Sequence, residues 1–361
     1  MKLGIILGTR PEIIKMSPVI HECLRRKIPY FILHTGQHYS PNMDRHFFKE
    51  LLLPQPHYNL GLGALSYRKQ VGFFIKHISA VLKREKPDAV IVEGDTVTVV
   101  AGALAANKLG IKVAHHEAGL RSHDITMLEE VNRVLADHVS TFLFAPTRTA
   151  VQNLIAEGFD KKKIFLTGNT IVDVVKKHQK RIETNSKLHK LLKLKPKKYF
   201  LITAHRAENV DRPERLKNIF EGLKLLKEYF KDFDIIYPMH PRTAKKSEEF
   251  GIKLAGGIKV ISPVGYFDML SLQKGARLVI TDSGGVQEEA CILKVPAITI
   301  RDNTERPETV KLGMNALIPG VEPVRILTAA KNMLEKKHKW QNPFGDGRTG
   351  QRIVGLLTKL V

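Results

Sequence analysis

Apolar runs of strand length alternate with longer stretches of helical period through nearly the whole chain, and this alternation leaves few folds open. Residues 3–7, 30–33, 89–92, 113–115, 142–145 and 164–166 are continuous β-type runs. Between the first two, Ile13, Met16, Ile20 and Leu24 share one helical face, after Pro11 at a first-turn position. The pattern restarts at 199–203 and continues through 235–237, 259–261, 278–281 and 297–300. Uninterrupted apolar strands joined by helices imply parallel sheets covered on both faces. Two such series, separated near 169–198, predict an α/β chain of two doubly wound Rossmann-like domains facing each other across a cleft, 1–168 and 169–345. A length of 361 residues with 43% hydrophobic content supplies two cores.

The unusual polar clusters sit just past the ends of these runs. Gly8-Thr9-Arg10-Pro11-Glu12, Thr35-Gly36-Gln37-His38, Glu93-Gly94-Asp95 and His116-Glu117-Ala118-Gly119 do so in the first half. Ala204-His205-Arg206, Met239-His240-Pro241 and Asp282-Ser283-Gly284-Gly285 do so in the second. Open parallel sheets bind ligands outside the carboxyl ends of their strands, where strand order reverses. Clusters gathered at that edge from both halves predict a ligand held between the domains.

Charge narrows the ligand. Lys plus Arg number 58 against 36 Asp plus Glu, so the formal charge is 58 − 36 = +22. Residues 176–198 contribute +9 of this, with ten Lys or Arg against the single acid Glu183. No aromatic interleaves them before Tyr199, so a base-stacking platform is not indicated. The segment reads as a solvated helix and linker, not a nucleic-acid surface, and the overall charge suits a small anionic ligand. No apolar run approaches the roughly 20 residues of a membrane span. The opening MKLGIILGTRPE reads as a first strand and not a signal peptide. Cys23 and Cys291 make neither a disulfide framework nor a zinc site. The expectation is a soluble, cytoplasmic protein that binds neither nucleic acid nor membrane.

Ser283-Gly284-Gly285 opens a helix-like stretch, where free N–H groups and the helix dipole meet an anion. Glu289, a turn on, suits ribose hydroxyls or, more blandly, a solvated helix face. Arg10 and Lys15, past the first strand, are candidates to grip the same phosphates. No GxGxxG follows any strand, which speaks against a dinucleotide cofactor. Asp95 before Thr96 is either an N-cap or a catalytic acid. Glu117 beside His115 and His116 raises the question of a metal, but HExxH and ligand spacing are missing, so none is expected. Glu129 and Arg133 have the spacing of an i,i+4 surface ion pair. Cys291, in an apolar stretch, reads as core.

Together GTRPE at 8–12, EGD at 93–95, HHEAGLRS at 115–122, EEVNR at 129–133, TAHRAEN at 203–209, TDSGGVQEEA at 281–290 and TERPE at 304–308 resemble the non-hydrolysing UDP-N-acetylglucosamine 2-epimerases, in order and over nearly the whole chain. The resemblance implies the glycosyltransferase-B architecture, with a C-terminal helix at 346–361 returning to the first domain. It implies a homodimer without metal or other cofactor that interconverts UDP-GlcNAc and UDP-ManNAc. The sugar C2 proton lies beside no carbonyl, so the implied route eliminates UDP to 2-acetamidoglucal and adds it back with protonation on the opposite face. By resemblance Asp95, Glu117 and Glu129 are the carboxylates around the sugar, with Arg133 positioning Glu129. His205 meets the pyrophosphate with Arg10 and the amides of Ser283, Gly284 and Gly285. Glu289 holds the ribose, Lys15 and Arg306 assist with the nucleotide, and the uracil lies near Val264 and Met269. Related bacterial enzymes also bind a second UDP-GlcNAc as activator; Gln37, His38, Arg68, Arg206, Glu208 and His240 match that site.

Three departures stand out. Leu128 replaces the usual proline before the two glutamates, Ala207 replaces an arginine, and Met269 stands where an aromatic often stacks on uracil. None removes a carboxylate or the histidine. Rival readings are a hydrolysing 2-epimerase releasing ManNAc and UDP, a UDP-sugar transferase of the same architecture, and a binding protein for UDP-sugar or nucleic acid.

Overall fold

Every strand expected from the apolar runs is present in the computed structural model, which describes residues 1–37, 41–61, 67–184, 187–336 and 339–361, side chains of 41–44, 67–68 and 184 excepted. The first sheet holds β1 (Leu3–Leu7), β2 (Tyr30–His34), β3 (Tyr58–Asn59), β4 (Ala89–Glu93), β5 (Lys112–His116), β6 (Phe142–Ala145) and β7 (Ile164–Leu166), in the order β3-β2-β1-β4-β5-β6-β7. The second holds β8 (Tyr199–Thr203), β9 (Asp234–Pro238), β10 (Ile258–Ile261), β11 (Leu278–Thr281), β12 (Ala297–Thr299) and β13 (Asn315–Leu317), in the order β10-β9-β8-β11-β12-β13. All pairings are parallel. The central strands β1, β4 and β8 are buried along their whole length, as both-face coverage requires. Each sheet is doubly wound, as expected.

The chain forms two compact units, residues 1–177 with 344–361, and residues 178–343. The first unit runs past the boundary expected at 168 because the helix Thr170–Lys177 packs into it. There Asp173 accepts from Thr349 N at 3.1 Å and Gly350 N at 2.9 Å, capping the C-terminal helix Thr349–Leu360. That helix lies tightly against Arg10–Arg26: a Cβ at Gly350 would come within 2.8 Å of the Pro18 backbone.

Helix Arg10–Arg26 starts as its sequence dictates, with Thr9 as N-cap, Pro in its first turn and a capping box closed by Glu12. Its buried stripe is Ile13, Met16, Val19, Ile20 and Cys23; Leu24, expected on that face, is 47% exposed, one position around the helix from Cys23. Separate apolar clusters fill the two units, one around Ile6, Val90, Val99 and Val113, the other around Phe200, Ile219, Leu223 and Ile280. Cys291 is buried core. The Lys-rich segment forms short helices Gln179–Thr184 and Lys187–Leu191 before β8, with Ile182 and Leu194 buried and Lys180, Lys187, Lys190 and Lys193 exposed. Among the described residues no helix is long and apolar enough to cross a membrane.

Candidate active site

Strand order in the first sheet reverses between β1 and β4, so the loops after these strands flank the place where such sheets bind ligands. Glu12 ties the two loops together. Its carboxylate accepts from Gly8 N and Thr9 N, and from Thr96 Oγ1 at 2.6 Å. Burial pushes this carboxyl up to about 7 against those hydrogen bonds. Thr96 also accepts from Val99 N as N-cap of the helix Val97–Lys108, so the capping role open to Asp95 falls to its neighbour.

Asp95 pairs with Arg133, whose side chain is only 2% exposed. The same guanidinium binds Glu130. Glu130 in turn accepts from Ser122 N and His123 N, both at 2.9 Å, holding the loop after the HEAGL motif. The spacing selects Glu129 as the partner of Arg133; in the helix Leu128–Val139 Glu130 turns inward against Arg133, and Glu129 is half-buried. Arg133 is therefore a buried group bonded to Asp95 and Glu130, not a surface charge.

Glu117 follows β5 with a left-handed backbone, φ +71°. Buried Lys15 donates to its Oε1, as does Asn169 Nδ2 at 2.6 Å. Lys15 Nζ also stands 3.6 Å from Glu93 Oε1. The resemblance implies that Lys15 assists with the nucleotide; its ammonium is buried beside the Glu93 and Glu117 carboxyl groups. A non-glycine residue at positive φ costs strain, and two convergent donors are what hold it.

His115 faces Asp137 Oδ1 at 2.7 Å and the Gly94 carbonyl at 2.8 Å. Burial pushes Asp137 up, but His115 and Arg121 outweigh it and hold the carboxyl below its usual value. Asp137 also accepts from Gly119 N at 3.1 Å, so one buried network braces the loops bearing Asp95 and Glu117. His116, bonded to Thr170 Oγ1, is pushed down to about 3 by burial and is a neutral imidazole. Gly119 has φ +79°, and a Cβ there would lie 2.3 Å from the Ala150 carbonyl oxygen. Gly119→Ala should therefore destabilise the fold by about 3 kcal/mol. Equilibrium unfolding in urea checks this, and an unchanged midpoint would mean the loop has room to move.

In the second sheet the order reverses between β8 and β11. Asp282, fully buried after β11, accepts from His205 N at 2.8 Å and Arg206 N at 2.9 Å, with its other oxygen 3.3 Å from His205 Nδ1. The His205 side chain is 43% exposed, and its backbone N–H is what Asp282 holds. Ser283 caps the helix Gly284–Ile292 through Val286 N, as its sequence predicts. The Arg306 guanidinium lies at the helix N-terminus beside Gly284, 3.4 Å from where a Cβ would sit. Arg306 is itself steadied by Glu288 at 2.7 Å. A cation beside a helix N-terminus has the chemistry that suits an anion.

Glu289 is buried and accepts from Gln273 at 2.6 Å; it is not a solvated helix glutamate. Val264 and Met269 are half-buried near the start of the helix Tyr266–Gly275, which also carries Gln273. Arg10 is half-buried at the start of its own helix. The His240 ring lies 5.8 Å from that of His205, and its Nδ1 accepts from Arg242 N. Half-buried Arg206 and Glu208 follow His205, with Glu208 bonded to Arg301 at 3.2 Å. Gln37 Oε1 is engaged by Thr98 N and Oγ1 at 3.1 and 2.9 Å. His38 and the Arg68 side chain lie outside the described residues. Among the described residues, no three His, Cys, Asp or Glu side chains converge as metal ligands would.

The family model for UDP-N-acetylglucosamine 2-epimerase matches residues 21–358. The chain belongs to the UDP-N-acetylglucosamine 2-epimerase family. It is 54% identical to the UDP-N-acetylglucosamine 2-epimerase of Methanocaldococcus jannaschii, over 99% of each chain. It is 40% identical, over the full length of both, to the UDP-2,3-diacetamido-2,3-dideoxy-D-glucuronate 2-epimerase of Pseudomonas aeruginosa. The crystal structure of the Methanocaldococcus jannaschii enzyme in complex with UDP-GlcNAc and UDP superposes with a TM-score of 0.94, covering 99% of this chain and 100% of that one.

Against the epimerase motifs, the Leu128 departure leaves the helix start in place, with Met127 as its N-cap. Sequence reasoning missed Glu12, Glu93, Glu130, Asn169, Gln273, Asp282 and Glu288. Glu12, Glu93, Glu130, Asp282 and Glu288 stood inside recognised motifs, where position alone could have raised them. Nothing local marked Asn169 or Gln273.

Proposed function

We propose that this chain is a non-hydrolysing UDP-N-acetylglucosamine 2-epimerase that reversibly interconverts UDP-GlcNAc and UDP-ManNAc, by elimination of UDP to 2-acetamidoglucal and re-addition. The observation that carries the reading is the pair of buried braces, Arg133 on Asp95 and Lys15 on Glu117, beside the β1/β4 reversal in a member of this family. Breaking C1–O builds positive character at C1 and acidifies C2–H, so the chemistry asks for fixed carboxylates near the sugar and cationic or dipolar groups for the leaving UDP. In this reading Asp95, Glu117 and Glu129 are the carboxylates for the sugar. His205, Arg10, Arg306 and the amides of Ser283, Gly284 and Gly285 are the groups for the pyrophosphate. Glu289 takes the ribose and the segment bearing Val264 and Met269 takes the uracil.

A second UDP-GlcNAc as activator fits the gathering of Arg206, Glu208 and His240 beside His205. That reading expects the rate to rise more steeply than hyperbolically with UDP-GlcNAc, and a purely hyperbolic curve removes it.

Proton NMR of UDP-GlcNAc incubated with the protein in D2O tests the main proposal. The expected result is UDP-ManNAc carrying solvent deuterium at C2. Free ManNAc with UDP would make the enzyme hydrolysing. Turnover of a UDP-2,3-diacetamido-glucuronate in place of UDP-GlcNAc would move the substrate to that of the Pseudomonas aeruginosa relative.

A further inference from the structure

β4 ends in Glu93, whose side chain is 3% exposed at the edge where the site residues gather. In the β4–β5 register Glu93 pairs with His116, the residue before Glu117, and the two carboxyl groups lie within reach of the same ammonium. Lys15 serves both: it is bonded to Glu117 Oε1 and stands 3.6 Å from Glu93 Oε1. Two carboxylates that share an ammonium in a dry pocket repel each other, and a proton retained on one of them removes that repulsion. The donors decide where it stays. Lys15 and Asn169 both aim at Glu117, favouring its ionised form, while Glu93 has the more distant cation. Glu12, buried on the helix that carries Lys15, adds a further acidic neighbour, and His116 is neutral.

We propose that Glu93 is a positioning residue of this site, a neutral carboxylic acid that donates a hydrogen bond to the Glu117 carboxylate and holds it ionised beside Lys15. Burial pushes the Glu93 carboxyl well above its usual range; Lys15 opposes this, and Glu117 and Glu12 reinforce it. Glu93 acts through Glu117 and touches no substrate, so the inference rests on the proposed role of Glu117. As pH rises and Glu93 loses its proton, Glu117 loses a donor and gains a repelling neighbour, and turnover falls.

Two measurements test this. Carbon-13 NMR of protein labelled at glutamate side-chain carboxyls should show, besides Glu12, one carboxyl that keeps its proton above the usual carboxylate range. E93Q should remove that signal and E12Q should leave it. In turnover, E93Q keeps a donor toward Glu117, so kcat should stay within about tenfold of wild type while the alkaline decline moves up by about one pH unit or more. Glu93→Leu, which keeps no donor, should lower kcat about 10²-fold with KM little changed. A high-titrating carboxyl that persists in E93Q, or full turnover in the leucine variant, overturns the proposal. Wild-type protein that leaves UDP-GlcNAc unchanged would sink the functional reading instead, and the carbon-13 titration still decides where the proton sits.

Discussion

Asp95→Asn should lower turnover of UDP-GlcNAc by about 10²- to 10⁴-fold, the range a positioned acid or base contributes, while costing the fold little. The contrast lies in exposure. The Asp95 side chain is 29% exposed and Arg133 2%, so the amide variant removes a half-solvated carboxylate and leaves Arg133 still paired with Glu130. Loss of that partly solvated pair should cost about 1 kcal/mol. Arg133→Met reverses the balance. It leaves Glu130 buried without its cation and releases Asp95, so it should lose about 3 kcal/mol or more of stability together with activity. Initial rates beside urea unfolding of both variants separate the effects. Near-native turnover in Asp95→Asn would remove Asp95 from the chemistry, and an unchanged unfolding midpoint in Arg133→Met would remove the brace.

The strands were legible because parallel sheets bury both faces, so each central strand appears as an unbroken apolar run. β3 and β13 were not: Tyr58–Asn59 is only two residues long, and Asn315–Leu317 opens on a polar residue and is only partly buried, so neither shows an unbroken apolar run. Local pattern also places a residue near a site without choosing its partner. Glu129 and Glu130 both lie a helical turn before Arg133, and only packing decides that Glu130 turns inward. Lys15 presents the same limit at longer range, since its partner Glu117 lies 102 positions along the chain. A cation past a first strand reads as a phosphate ligand until its carboxylates are seen. Glu93 was hidden differently, inside the Glu93-Gly94-Asp95 cluster, where Asp95 drew the chemical reading. Legible residues were those whose role follows from the strand end or helix start they occupy, as with Ser283. Those set by a contact across the sheet were not.

Arg301→Met should destabilise the protein by about 3–5 kcal/mol near neutral pH, and the loss should shrink in acid. Arg301 is completely buried just beyond β12 and grips Glu305 with both arms, NH1 to Oε2 at 2.9 Å and NH2 to Oε1 at 3.0 Å. Burial pushes Glu305 up, but Arg301 and then Arg306 outweigh it, and its carboxyl is held well below the ordinary value of 4.5. A carboxyl depressed in the folded state binds fewer protons there than in the unfolded chain. Its stabilisation is therefore complete above the unfolded value and is lost as pH falls through the lower folded one. Methionine removes the charge that depresses Glu305, so the variant lacks this term at neutral pH, whereas the wild type surrenders it only in acid. Urea unfolding of both proteins at neutral pH and again below the ordinary carboxylate range should give a wide gap in the first case and a narrow one in the second. An equal gap at both would show that Arg301 stabilises through packing of its stem and not through its charge. Because Arg306 also lies 3.5 Å from Glu305, the variant should shift Arg306 toward that carboxylate and weaken binding of UDP alone, which calorimetric titration reads independently of turnover.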